Sequence, residues 1–84
     1  MTKGENNKMK TKSQLETIRD NELREAHLLK QYALNAEDTG YTYEDHGDEL
    51  RRDEFFKIAR KRDFESRVKY RLVAYLNRKI AEAK

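Results

Sequence analysis

Four arginines in the last third of the chain, Arg60, Arg67, Arg71 and Arg78, are separated by seven, four and seven residues. On an α-helix these intervals keep all four side chains within about 40° of one another, in a line about 27 Å long at 1.5 Å per residue. Guanidinium groups bind phosphates through two parallel hydrogen bonds, and phosphates repeat along a nucleic-acid strand. The chemistry such a line would perform is therefore phosphate recognition. Lys61 and Lys79 edge it, and Tyr70 and Phe56 flank it on one side with Phe64 and Tyr75 on the other. Aromatic faces beside a basic line suit unpaired bases, so the expected partner is RNA or single-stranded nucleic acid. The expected binding residues are Arg60, Lys61, Arg67, Tyr70, Arg71, Arg78 and Lys79. The competing explanation is an ordinary solvated helix face, with Asp63, Glu65 and Glu82 supplying partial neutralisation.

A second cluster, Asp45, His46, Asp48 and Glu49, carries hard ligands in a turn. It lacks the alternating Asp/Asn ligands and distant Glu of an EF-hand, so no metal and no cofactor are expected. An acidic segment of this kind could instead shield basic residues or face a basic partner protein. Catalysis has little to work with. The sequence has no nucleophile–base signature, no glycine-rich phosphate loop and no Glu-x-x-His pair, and the expectation is a non-enzymatic protein.

The segments that must position the arginines follow from composition and periodicity. At 84 residues, with 36% hydrophobic and 42% charged residues, the chain is one domain with a modest core. Net charge is +3 and unevenly placed: +3 over 1–12, −1 over 13–36, −6 over 37–49 and +7 over 50–84. Absence of cysteine excludes a disulfide scaffold, a Cys-ligated zinc finger and thiol catalysis. No apolar run reaches the length of a membrane span and no signal-peptide h-region follows the basic start, which together suggest a cytoplasmic protein.

Residues 1–12 read as a flexible basic arm and 13–84 as a single helical domain. Ser13-Gln14-Leu15-Glu16 has the form of a capping box, which predicts a helix from about 14 to 36. Leu15, Ile18, Ala26, Leu29, Tyr32, Ala33 and Ala36 share one face of it, with Glu22 in their midst. Such a carboxylate calls for a cationic partner on the second helix, Lys69 or Arg62. An acidic connection, 37–49, follows, with Gly40 expected to end the helix and Gly47 to make a second turn. Asp48 is the expected N-cap of a second helix over about 49–83. Phe64, Val68, Leu72, Tyr75, Leu76, Ile80 and Ala83 form a stripe on that helix, whereas Leu50, Phe55, Ile58 and Ala59 point in a rotated direction. The rotation allows a break near 62–63, where Asp63 could cap a new helix; the absence of any turn residue favours continuity.

The resulting expectation is all-α: a helical hairpin that hides its thin stripes by dimerising into a bundle, with Leu29, Val68, Leu72, Leu76 and Ile80 at the oligomer interface. In texture (short, rich in Lys, Glu, Tyr and Asn, without Cys or Pro) the chain resembles small accessory proteins of large bacterial phages, a likeness of composition that carries no residues across. The function these features favour is a small RNA-binding regulator. The alternative is an inhibitor or adaptor that docks on a larger enzyme through its helices or acidic loop.

Overall fold

The computed structural model describes residues 10–83. They form two α-helices, α1 (Lys12–Asp45) and α2 (Glu49–Glu82), packed antiparallel as a hairpin. The basic arm expected over residues 1–12 falls largely outside the described residues. Of its last three, Lys12 already belongs to α1.

Both helices have 34 residues, about 51 Å each at 1.5 Å per residue. Helix α1 starts earlier and ends later than the capping signals imply. Its N-cap is Thr11, not Ser13: the Thr11 hydroxyl accepts from the Gln14 amide at 3.1 Å, and Gln14 Oε1 accepts from the Thr11 amide at 2.9 Å. Thr-x-x-Gln satisfies the same two orphan amides as Ser-x-x-Glu, and it lies one half-turn upstream. At the other end Gly40 does not terminate the helix. Gly47, at φ 76°, is the only glycine or other residue with positive φ among those described. The acidic segment 37–49 is therefore mostly helical, and the connection shrinks to His46–Asp48. Asp48 caps α2 as its sequence implies, accepting from the Arg51 amide at 3.1 Å. Helix α2 is unbroken at 62–63.

Seven-residue intervals organise the contact between the helices. Arg19, Ala26, Ala33 and Gly40 recur at this spacing on α1, as do Leu15, Glu22, Leu29, Ala36 and Tyr43. On α2 the repeat is Arg52, Ala59, Ser66, Val73 and Ile80. A heptad repeat keeps one seam turned toward the partner as the helices wind around each other. The buried residues of the seam are mostly small: Ala26 (0% exposed), Ala33, Ala36 and Gly40 on α1, and Ala59 and Ser66 (1% exposed) on α2. Bulk enters only near the open end, at Val73, Leu76 and Ile80. Gly40 faces the Phe56 ring so closely that a Cβ there would lie 2.4 Å from one ring carbon. Close approach of backbones, rather than a turn, is the reason for glycine at this position.

Such small side chains bury little apolar area, and polar rungs complete the seam on both edges. On one edge Lys30 Nζ reaches Asp63 at 2.8 Å, Tyr70 Oη meets His27 Nδ1 at 2.7 Å, and Tyr41 packs edge-on against Phe56. On the other edge Lys69 Nζ donates to Glu22 at 2.7 Å and approaches Glu25 at 3.5 Å, and Tyr43 stacks on Phe55 near the turn. Glu22 thus finds Lys69, one of the two cations expected for it; the other, Arg62, pairs with Glu65 on its own helix.

Candidate nucleic-acid interface

Helix α2 stays regular from its Asp48 cap to Glu82, and this continuity aligns the arginines. Taking the Ser66 direction as the side facing α1, Arg60, Arg67, Arg71 and Arg78 all lie about 100–140° round from it. All four are exposed. Among the described residues Arg60, Arg71 and Arg78 enter no salt bridge, whereas Arg67 is bound by Asp63 one turn away.

Asp63 is the main neutralising group of this region. It lies between the stripe and α1 and accepts from both Lys30 and Arg67. The Lys30 hydrogen bond, joined by the Arg67 guanidinium and opposed by desolvation, holds its carboxyl below the usual carboxylate range. Asp63 thereby ties the basic stripe to the hairpin seam. Its i,i+4 spacing from Arg67 is readable from sequence. The Lys30 contact, 33 residues away, requires the fold.

Not all of the expected binding residues join the arginines. Tyr70 sits on the α1 side, half-buried, its hydroxyl on His27 and its ring edge-to-face with the imidazole at 5.5 Å. A ring held this way is not free to receive a base. Lys61 and Lys79 lie about 100° beyond the stripe on the far side. Lys79 approaches Glu82 at 3.6 Å and stands 5.5 Å over the Tyr75 ring. The structure therefore assembles the four arginines into a line and separates them from Tyr70, Lys61 and Lys79.

The expected interface residues divide as well. Leu76 and Ile80 are buried inside the hairpin, Leu29 is half-buried on its flank, and Val68 and Leu72 are exposed on the outer side of α2. Phe64 (65% exposed) and Tyr75 (47%) belong to that same outer row. The sequence stripe thus mixes two faces, because the side of α2 that meets α1 is lined by Ala59 and Ser66, which carry no strong hydrophobic signal.

Among the described residues no group of three or more His, Cys, Asp or Glu could hold a metal ion, and no helix is long and apolar enough to cross a membrane. No protein family, curated protein or solved structure matches this chain.

Proposed function

We propose that this protein binds nucleic acid, RNA or another single strand, by laying its phosphates along the arginine line of α2. One observation carries this: four exposed arginines stand in register on one unbroken helix, three of them without an ionic partner among the described residues. Uncommitted guanidinium groups are the form in which arginine binds phosphate at least desolvation and exchange cost. With Tyr70 engaged by His27, recognition rests on phosphates and carries little base preference. The role is binding rather than catalysis, as expected of a small regulator.

A fluorescence-anisotropy titration with single-stranded RNA, single-stranded DNA and duplex, repeated across a salt series, tests this. Four phosphate contacts to a single strand should give a log–log salt slope near −3, from about −0.7 per contact. Binding weaker than about 100 µM to every nucleic acid at physiological salt, within the non-specific range, would overturn it.

A second reading, an adaptor that docks on another protein, is favoured by the exposed outer row Phe64, Val68, Leu72 and Tyr75. That row is contiguous on one helix and offers an apolar anchor surface.

A further inference from the structure

We propose that the outer row of α2 is the seat of a second copy of this chain, paired antiparallel about Val68, so that two hairpins lie side by side with their arginine lines on one common face. The row runs Lys57, Lys61, Phe64, Val68, Leu72, Tyr75 and Lys79, at intervals of four, three, four, four, three and four residues. Its spacing reads the same from either end, with Val68 at the centre. An isologous two-fold contact demands this property: if residue i meets j, then j meets i. Antiparallel pairing about Val68 sets Val68 on the partner's Val68, Phe64 on the partner's Leu72, and Lys61 on the partner's Tyr75.

The flanks of the row are polar. Lys61 reaches the face of an aromatic ring, the placement Lys79 already shows over Tyr75 within one chain. At each end Lys57 faces the partner's Lys79 and Glu54 faces the partner's Glu82, with each lysine diagonal to a carboxylate of the other chain, so the flanks oppose like charges directly and unlike charges on the diagonal. Four adjacent exposed apolar side chains occupy the centre and charges occupy both ends, the usual distribution of an interface core and rim. The apolar part of the row, Phe64 to Tyr75, spans about three turns, which stands at the small end of specific interfaces, so a weak, reversible dimer is expected.

This arrangement differs from the bundle expected from the sequence. The outer row lies about 160–240° from the side facing α1, so the second copy extends the hairpin outward and the four helices form a flat array. A two-fold axis perpendicular to that array carries the arginine line of each chain to the same side. Eight arginines then share one face in two antiparallel lanes. The value of that face for nucleic acid rests on the function proposed above; the dimer itself does not.

Sedimentation of the full chain from about 1 to 500 µM should show the mass rising from that of the 10.1 kDa chain toward twice that value. Val68→Glu places two carboxylates together on the axis and should weaken association at least about a hundredfold, whereas Leu34→Glu, at an exposed position on α1 away from the row, should not. Because the chain has no cysteine, orientation is tested by mixing Phe64→Cys with Leu72→Cys. Under mild oxidation the mixed disulfide should form faster than either homodimer. Monomeric mass at 500 µM, undiminished association of Val68→Glu, or preferential Phe64→Cys homodimers would each overturn the proposal. Failure of nucleic-acid binding with association intact would overturn the proposed function and leave the dimer standing.

Discussion

Replacing Gly40 by alanine sets two effects of known sign against each other. In an ordinary helix interior alanine is favoured over glycine by about 1 kcal/mol. At Gly40 the added methyl would stand 2.4 and 2.5 Å from two carbons of the Phe56 ring. Carbon atoms in contact sit about 3.5–4.0 Å apart, so the ring must retreat by roughly 1 Å. Phe56 is half-buried and packs edge-on against Tyr41 with ring centroids 5.1 Å apart, so moving it loses an aromatic contact worth about 0.5–1.5 kcal/mol. Overpacking of this kind costs about 1–3 kcal/mol in total. The net expectation is a loss of about 0–2 kcal/mol, in place of the gain that helix propensity alone demands. In a Phe56→Ala background the obstacle is gone and Gly40→Ala should stabilise by about 1 kcal/mol. Urea denaturation followed by circular dichroism at one fixed protein concentration gives the four corners of the cycle. The coupling between the two sites should be about 1–3 kcal/mol. If Gly40→Ala stabilises equally in both backgrounds, the helices do not meet at Gly40 and the seam has been wrongly drawn.

The same seam predicts that Ser66→Leu, at a site 1% exposed, destabilises the hairpin by about 1–3 kcal/mol through overpacking, although leucine is the better helix former; thermal melting reads this directly. Glu22→Gln should cost about 1 kcal/mol by removing the inter-helix partner of Lys69. The Glu22 hydrogen bond raises the Lys69 pKa above 10.5 in the folded chain, so this contribution is fully present below that pH and is lost as pH climbs through the folded value; the wild-type melting temperature should fall at strongly alkaline pH more than that of Glu22→Gln. Asp63 is shifted in the opposite sense, below 3.8, so its contribution is present above that pH and is lost as acid titrates it. Asp63→Asn should therefore flatten the acid limb of a melting-temperature profile. By releasing Arg67 and Lys30 it should also tighten nucleic-acid binding while lowering the melting temperature, two movements in opposite directions that a general loss of structure would not produce.

The helical hairpin was legible because its signals are local. Asp48 and Gly47 mark the turn, the absence of proline and glycine keeps α2 continuous, and the arginine intervals need only helical periodicity to align. What sequence misled about is which face of α2 meets α1. Bulk and hydropathy point to Phe64, Val68 and Leu72, yet the seam follows Ala59, Ser66 and Val73, because close packing of two long helices selects for smallness. Gly40 misled for the same reason: a glycine chosen for proximity looks like one chosen for a turn. Tyr70 looked available for stacking because its partner, His27, is 43 residues away and only the antiparallel register brings it near. Lys61 and Lys79 are expected at the edge of the arginine line, whereas the helix places them about 100° round from it.

The central claim, that the arginine line of α2 is a phosphate-binding surface, is tested most directly by moving the same charge at two places. Arg60→Glu with Arg71→Glu reverses two exposed guanidinium groups that enter no salt bridge among the described residues. Lys12→Glu with Arg24→Glu changes net charge equally, from +3 to −1, at exposed positions on α1. The affinity of each variant for single-stranded RNA should be measured at several salt concentrations beside the wild type. The α2 variant should lose most binding and keep its helicity, with a salt slope reduced from about −3 toward −1.5 at about −0.7 per contact. The α1 variant should retain the wild-type slope with only a modest general weakening. Equal losses in the two variants would show that binding follows net charge alone, and would contradict a site on α2.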